Sequence, residues 1–290
     1  MNGYLLVFLS AVLYGVEPTI LELAVDRGMV VTMVSAMVYT LVLTGFSLAG
    51  LVRRESFRVG RRQLFSLLLL GILSGGTNIL LASAYAYMPV GCATVMHFLY
   101  PTLTCLTMVL CFGARLMPLR LAAMGCSLAG LMLVSGGVMQ GSPVGILLAL
   151  GSSFTYAAYV VLTDRFAGLT QIPMPVRMFY ISAGALITCA MGFAAHPDPG
   201  RFTGEATALV VVCAVMIAGA MAFFARGIDR VGGTSASFFS LFEPLTSLVV
   251  STLVLSYRLR WTTMLGCCLI LLAVLFVSLS DGHTQGKKAA

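Results

Sequence analysis

Apolar runs of about twenty residues, nearly free of charge, follow one another along almost the whole chain and limit its fold most strongly. A helix needs about 20 apolar residues to cross a bilayer core about 30 Å thick. Ten runs reach that length, at residues 3–25, 30–52, 63–87, 90–112, 119–139, 144–164, 174–195, 206–228, 232–256 and 261–280. The sequence therefore predicts an all-α polytopic membrane protein with ten transmembrane helices.

The composition excludes a water-soluble enzyme. Of the 290 residues, 59% are apolar and 9% are charged, whereas soluble domains have about 45–50% and about 25%. The net charge of +7 comes from basic residues placed between apolar runs, so we expect no nucleic-acid partner. The eight cysteines lie within apolar runs and lack metal-ligand spacing, so we expect no disulfide framework, metal or cofactor.

The positions of arginine and lysine predict the orientation. If the N-terminus is cytoplasmic, thirteen basic residues fall in cytoplasmic segments and four fall outside. Because cytoplasmic loops carry an excess of basic residues, we expect both termini, including a short tail at 282–290, on the cytoplasmic side of a bacterial inner membrane. Charged residues near span ends, such as Asp164 and Asp229, are expected to reach the headgroups.

The second half of the sequence repeats the first at a nearly constant offset. Tyr14 falls on Tyr156 at an offset of 142, and Pro101 falls on Pro244 at an offset of 143. The predicted repeats are residues 1–141 and 142–281. Each holds five spans, and because five is odd the second copy must be inverted in the membrane. Inverted repeats are typical of secondary transporters, with the substrate site near the membrane midplane.

Three pairs of segments carry a family resemblance: LLVFLSAVLYG and LLALGSSFTYAAY, GCATVMHFLYPTLTCL and GTSASFFSLFEPLTSL, and MGCSLAGLMLVSGG and LGCCLILLAVLFVS. On these segments the chain resembles the drug/metabolite transporter superfamily, in the branch built from two EamA-type five-helix repeats. The resemblance covers essentially the whole chain and implies a carrier fold. The family often has a Glu in a GERL-like turn, where this chain has Ala114-Arg115-Leu116 and Tyr257-Arg258-Leu259, so that residue's role is not carried over.

Three ionisable side chains fall in the middle of spans. Glu17 precedes Pro18 in the first span, Glu243 precedes Pro244 in the ninth, and His97 lies in the fourth. A charge at the centre of a membrane helix costs about 2.5–3.5 kcal/mol on insertion scales and normally faces a cavity or a partner. These residues are therefore candidates for a functional site.

Polar residues follow one face of the fourth span and recur in the ninth. The first stripe holds Thr94, His97, Tyr100, Thr104 and Thr107, and the same positions 143 residues later are Ser237, Ser240, Glu243, Ser247 and Val250. Serine and threonine also bond to their own helix or hold helices together. Because two matched stripes each contain an ionisable residue, we expect both to line one cavity.

The first and sixth spans extend this pattern. Tyr14 and Glu17 share a helix face, and their repeat counterparts are Tyr156 and Tyr159. Glu17 then corresponds to Tyr159, and Tyr100 corresponds to Glu243. Each half would therefore contribute one carboxylate and one tyrosine, at positions that are exchanged between the repeats.

Further candidates lie in the third span and at the prolines. We expect Asn78 and Tyr85 to complete the cavity wall. Pro18, Pro101 and Pro244 each free a backbone carbonyl, which either faces the cavity or merely accompanies a kink needed for packing.

Two carboxylates among tyrosines favour a cation, because tyrosine faces attract ammonium groups. We therefore expect a secondary transporter of small amino-bearing metabolites (amino acids, amines or quaternary ammonium compounds) that works by alternating access. Its expected partners are the small-molecule substrate, protons or another coupling ion, and the lipid bilayer, and it would act as a monomer or homodimer. Glu17 or Glu243 would bind the substrate's ammonium group or carry a coupling proton.

Other functional classes stay open at this point. They are a non-transporting membrane receptor or assembly subunit with the same fold, a carrier of a non-amine metabolite, and an ion channel. The sequence has no HExxH motif and no GxxxxGK[ST] motif, which argues against an intramembrane metalloenzyme and against drive by ATP.

Overall fold

The computed structural model describes residues 2–134, 142–195, 198, 200–255 and 260–289. These residues are almost entirely α-helical. Within them, the strand-like pairing is limited to one isolated bridge between Met29 and Gly200.

Twelve α-helices make up the described chain, joined by short links and one 3₁₀ turn at Leu169–Gln171. They are α1 (Gly3–Asp26), α2 (Val31–Val52), α3 (Arg61–Ala84), α4 (Val90–His97), α5 (Tyr100–Phe112), α6 (Pro118–Val134), α7 (Pro143–Arg165), α8 (Met174–Ala195), α9 (Gly204–Val231), α10 (Gly233–Phe239), α11 (Phe242–Leu255) and α12 (Trp261–Ala289).

The helices confirm the predicted fold class. Nine stretches of the described chain are long and apolar enough to cross a membrane, and α6 is a shorter apolar helix. The fifth span was predicted to reach residue 139, but residues 135–141 lie outside the described part, as does the Tyr257-Arg258-Leu259 turn. α12 continues into the predicted tail at 282–290 and ends at Ala289.

The fourth and ninth spans are each interrupted just before the proline that the sequence marks as a kink, so each consists of two helices. The breaks separate α4 from α5 and α10 from α11, and Pro101 and Pro244 lie in the first turn of the helix that follows. A proline ring clashes with the carbonyl four residues earlier, while the first turn of a helix needs no donor from it. A helix break just before the proline avoids this clash and places the proline where its missing N–H is not needed. By contrast, α1 continues through Pro18.

Helix packing follows the same pattern in both halves. α1 packs against α9 and α11, and α7 correspondingly packs against α3 and against α4 and α5. The α2–α8 and α6–α12 pairs join equivalent helices of the two halves, and the α3–α8 contact has a smaller counterpart between α2 and α9. The main helix pairs therefore recur when the halves are exchanged, although the extent of contact differs. The opposite orientation of the halves in the membrane stays a prediction.

The α6–α12 pair shows why small residues lie at such contacts. A Cβ on Gly130 would lie 2.8 Å from the carbonyl oxygen of Gly266, and one on Gly266 would lie 2.6 Å from that of Gly130. In lipid, close backbone approach replaces the hydrophobic effect as a source of helix association. This pair contacts other described helices mainly through α10 and α4, which leaves α1, α3, α7 and α9 around the candidate site.

Candidate functional site

An aromatic group lies where α4, α5, α7 and α9 meet, and Tyr156 is its centre. The Tyr156 ring centroid is 4.6 Å from that of Tyr100, 5.5 Å from those of His97 and Tyr159, and 6.1 Å from that of Phe224. The four residues that the repeat analysis named on separate spans are thus in contact. Sequence reasoning missed Phe224, an apolar residue within an apolar span.

His97 is held in this group by a hydrogen bond across helices. It is buried, and its Nδ1 lies 3.1 Å from Ser152 Oγ, whose hydroxyl donates to the Ala149 carbonyl at 2.7 Å. Since that hydroxyl's hydrogen is used, its oxygen accepts from His97 Nδ1–H. The neutral imidazole then carries its proton on Nδ1 and leaves Nε2 as an acceptor.

The two mid-span carboxylates lie next to this aromatic group. Glu17 in α1 and Glu243 in α11 are each partly buried and close enough to interact electrostatically with each other. Tyr14 also interacts electrostatically with both carboxylates and with Tyr159. The structure therefore joins the residues of the two halves into one site cluster, made up of Tyr14, Glu17, His97, Tyr100, Tyr156, Tyr159 and Glu243.

α1 packs closely on α11 at Gly15. A Cβ on Gly15 would lie 2.5 Å from the Glu243 carbonyl oxygen and 2.6 Å from Thr246 Cβ. Only glycine permits this approach, which sets the position of the start of α11, and so of Glu243, relative to α1.

The hydroxyls of the α10 stripe are bonded within their own helix. Ser237 donates to the Thr234 carbonyl at 2.8 Å, and Ser240 donates to the Ala236 carbonyl at 2.9 Å. These bonds fit the alternative interpretation, in which a serine in a helix bonds to its own backbone and does not line a cavity. Ser240 lies beside Tyr100, whose buried hydroxyl has no hydrogen bond of normal geometry within the described chain. Thr94 of the α4 stripe lies beside Tyr85.

Asn78 and Tyr85 occupy different positions relative to the cluster. Asn78 Nδ2 donates to the Tyr39 hydroxyl at 2.9 Å and to the Ser74 carbonyl at 3.1 Å. Tyr39 is buried and lies within electrostatic range of Glu17. The sequence analysis missed it, although a mid-span tyrosine was an available signal.

The prediction that Tyr85 lies inside the third helix is wrong. α3 ends at Ala84, so Tyr85 follows the helix and is 38% exposed. It interacts electrostatically with both Glu17 and Glu243. Tyr85 therefore stands at the edge of the site cluster.

An ion pair between a buried arginine and a more exposed aspartate was not predicted beside the cluster. Arg177 of α8 is 1% exposed, and its Nη1 lies 2.7 Å from Asp229 Oδ2 of α9. Asp229 is an exposed residue near the end of α9, so the expectation that it reaches the headgroups stays a prediction. Both residues interact electrostatically with Tyr159. Because the partners are 52 residues apart, no local pattern could have paired them.

A second polar group joins four helices at one end of the bundle. Asp281 accepts hydrogen bonds from the Tyr4 hydroxyl at 2.8 Å, from Ser235 Oγ at 2.6 Å and from Arg120 Nη2 at 3.0 Å. We call these residues the end cluster. It ties α1, α6, α10 and α12 together.

Both halves of α1 have exposed positions. Leu5 and Phe8 are exposed in its first half, and Pro18, Glu22 and Asp26 are exposed in its second. An open cavity of about 570 Å³ lies at the C-terminal end of α1. It is lined by Asp26, Arg27, Gly28, Val30, Asp198, Gly200 and Arg201, not by the site cluster.

Comparisons with known proteins agree with this architecture. The model of the EamA-like transporter family matches residues 1–136 and again residues 143–279. The uncharacterized inner membrane transporter YicL of Salmonella typhimurium is 26% identical over 302 residues, covering 99% of this chain and 98% of that protein. A solved crystal structure matches 96% of this chain and 98% of its own, with a TM-score of 0.81 and 21% identity, which shows the likeness of fold.

Proposed function

The chain belongs to the EamA-like transporter family, and from this membership we propose that it is a secondary carrier of small amino-bearing metabolites in a bacterial inner membrane. The predicted resemblance to that family is confirmed. The description of YicL as an inner membrane transporter supports the location. The candidate substrates are amino acids, amines and quaternary ammonium compounds.

The observation that carries this proposal is the pairing of Glu17 and Glu243 beside Tyr14. Two carboxylates in a half-buried site favour a positively charged guest, because each would otherwise be costly in the membrane. A tyrosine face adds about 0.5–2 kcal/mol of attraction for an ammonium group. A neutral or anionic metabolite gains neither interaction from these three residues.

Alternating access accounts for the remaining features. The end cluster lies at the end that the distribution of basic residues predicts to be cytoplasmic, and it would close that end. The open cavity at the C-terminal end of α1 would lie towards the opposite side. The breaks before Pro101 and Pro244 interrupt the two helices that carry the polar stripes, and they would serve as the hinges.

Transport from reconstituted liposomes tests this proposal. Radiolabelled amino acids, amines and choline would be compared with a sugar and with a carboxylate that lacks an amino group, with and without a pH gradient. Liposomes without protein are the control. We expect protein-dependent uptake of at least one amino-bearing compound and none of the sugar or carboxylate. Uptake confined to compounds without an amino group would contradict the substrate class, and binding without flux would favour a receptor.

A further inference from the structure

The guanidinium of Arg177 has one edge in use and one edge free. Both oxygens of Asp229 accept from Nη1, at 2.7 and 3.0 Å. Nε and Nη2 are buried and have no hydrogen-bond partner within the described chain. Buried donors without a partner are unusual, and those on a charged group are the most costly to leave unpaired.

The geometry of the free edge indicates what it can hold. Nε–H and Nη2–H of an arginine point the same way, and their spacing matches the two oxygens of a carboxylate. Asp229 holds the opposite side of the guanidinium and so fixes its orientation. The free edge is therefore preorganised for a planar anion.

Arg177 lies within electrostatic range of the site cluster. Arg177 and Asp229 both interact electrostatically with Tyr159, and Tyr159 interacts with Tyr14, which in turn neighbours Glu17 and Glu243. A ligand whose ammonium group is held by the carboxylates thus has a positively charged group further along the same cluster.

The ion pair has no counterpart in the first half. The positions in the first half that correspond to Arg177 are Ser35 at an offset of 142 and Val34 at 143, and those that correspond to Asp229 are Tyr87 and Ala86. The repeat itself therefore does not account for the pair.

We propose that the Nε–Nη2 edge of Arg177 is a subsite for the carboxylate of the transported metabolite. This inference rests on the proposed function and narrows its substrates to metabolites that carry a carboxylate as well as an amino group. Asp229 and Tyr159 act as positioning residues, because they fix the guanidinium and border the subsite.

Binding to the purified protein tests the subsite without relying on transport. The twenty amino acids would be screened, and each one that binds would be compared with its primary amide and its decarboxylated amine. We expect the wild-type protein to bind the acid at least tenfold more tightly than the amide or the amine. Equal binding of all three would overturn the subsite, and no variant is needed for that result.

The variant Arg177→Lys keeps the charge opposite Asp229 and removes the two-donor edge. It should weaken binding of the acid at least tenfold and leave the amide and amine within twofold. Retained amine binding also shows that the variant is folded. The control is Arg27→Lys, the same replacement in the exposed ion pair with Glu205, which should not change the ratio. Equal weakening of all three ligands by Arg177→Lys would mean a structural role and overturn the subsite.

The outcomes separate this inference from the proposed function. If amines bind and acids bind no better, the proposed function stands and the subsite is wrong. If a carboxylate without an amino group binds as tightly as the acid and depends on Arg177, the subsite stands and the amino-bearing class is wrong. Absence of binding by every compound would contradict both.

Discussion

Tyr14 is the neighbour that the two carboxylates of the site cluster share. It is partly buried and interacts electrostatically with Glu17, Glu243 and Tyr159. If its ring face attracts the ammonium group, Tyr14→Phe should keep most of the binding, since phenylalanine retains the face. Tyr14→Leu should weaken binding by about 2- to 30-fold, the equivalent of about 0.5–2 kcal/mol. Equilibrium binding of an amine to the purified variants measures both values.

The pair of variants contains its own control, because leucine and phenylalanine are both apolar and both remove the hydroxyl. Equal weakening by the two variants would assign the effect to the hydroxyl and contradict a cation–π role. Unchanged binding in both would place Tyr14 outside the ligand's contacts.

The contact between α1 and α11 depends on Gly15. A methyl group there would meet the backbone of α11, 2.5 Å from the Glu243 carbonyl oxygen, and backbone cannot yield as a flexible side chain can. Overpacking of this kind costs about 1–3 kcal/mol. We expect Gly15→Ala to lower the thermal unfolding temperature of the purified protein by several degrees and to weaken ligand binding, because the start of α11, which carries Glu243, would be displaced from α1.

Gly45 provides the matched control for that substitution. It lies within α2, and a Cβ there would have no neighbour within 4 Å. Gly45→Ala should leave the unfolding temperature unchanged or raise it, since alanine favours the helix. If both variants behaved alike, the close approach at Gly15 would not matter for stability.

The end cluster joins four helices through the single carboxylate of Asp281. Its partners are buried or partly buried, and breaking a buried ion pair at one partner costs about 3–5 kcal/mol. Asp281→Asn should therefore loosen the predicted cytoplasmic end. A cysteine at Ser237, introduced into a chain without its native cysteines, should then react faster with an impermeant thiol reagent in inside-out vesicles.

Glu205→Gln tests whether this effect is specific to the end cluster. Glu205 pairs with Arg27 at 3.1 Å, yet its side chain is 82% exposed, and exposed ion pairs contribute little. Labelling of the Ser237 cysteine should be unchanged by this variant. An unchanged rate in Asp281→Asn as well would mean that the end cluster does not close the site.

The sequences of the two halves match at an offset of 142 or 143 residues. The inversion of one half relative to the other in the membrane is still a prediction. Ser56 lies between α2 and α3, and Phe202 lies in the equivalent link between α8 and α9; both are exposed. Cysteines at these positions should react with an impermeant thiol reagent from opposite sides, Ser56→Cys from the cytoplasm and Phe202→Cys from outside. Labelling of both from one side would contradict inverted repeats.

Most of the fold was predictable because span length and apolar content are local properties of the sequence. Pro101 and Pro244 predicted an interruption in the fourth and ninth spans but not its form, because a proline has the same sequence signature whether it kinks a helix or begins one. The end of α3 at Ala84 was misplaced because apolar residues continue beyond it.

The site was predictable where the repeat pointed to it. His97, Tyr100, Tyr156 and Tyr159 were found because positions on two stripes had polar counterparts, and the structure brings them together. Arg177 and Asp281 have no such counterparts, and their partners are far away in sequence. Tertiary packing alone decides whether a charge near a span end turns to the headgroups or inward.

The central claim is that Glu17 and Glu243 form the working centre of a carrier. Exchange of a labelled substrate at equilibrium and net uptake driven by a pH gradient, measured in liposomes containing Glu17→Gln or Glu243→Gln, test it most directly. Glutamine keeps the shape and removes the charge. A carboxylate that binds substrate predicts loss of both activities, and one that carries the proton predicts loss of net uptake with exchange preserved. Near-normal exchange and net uptake in both variants would contradict the account.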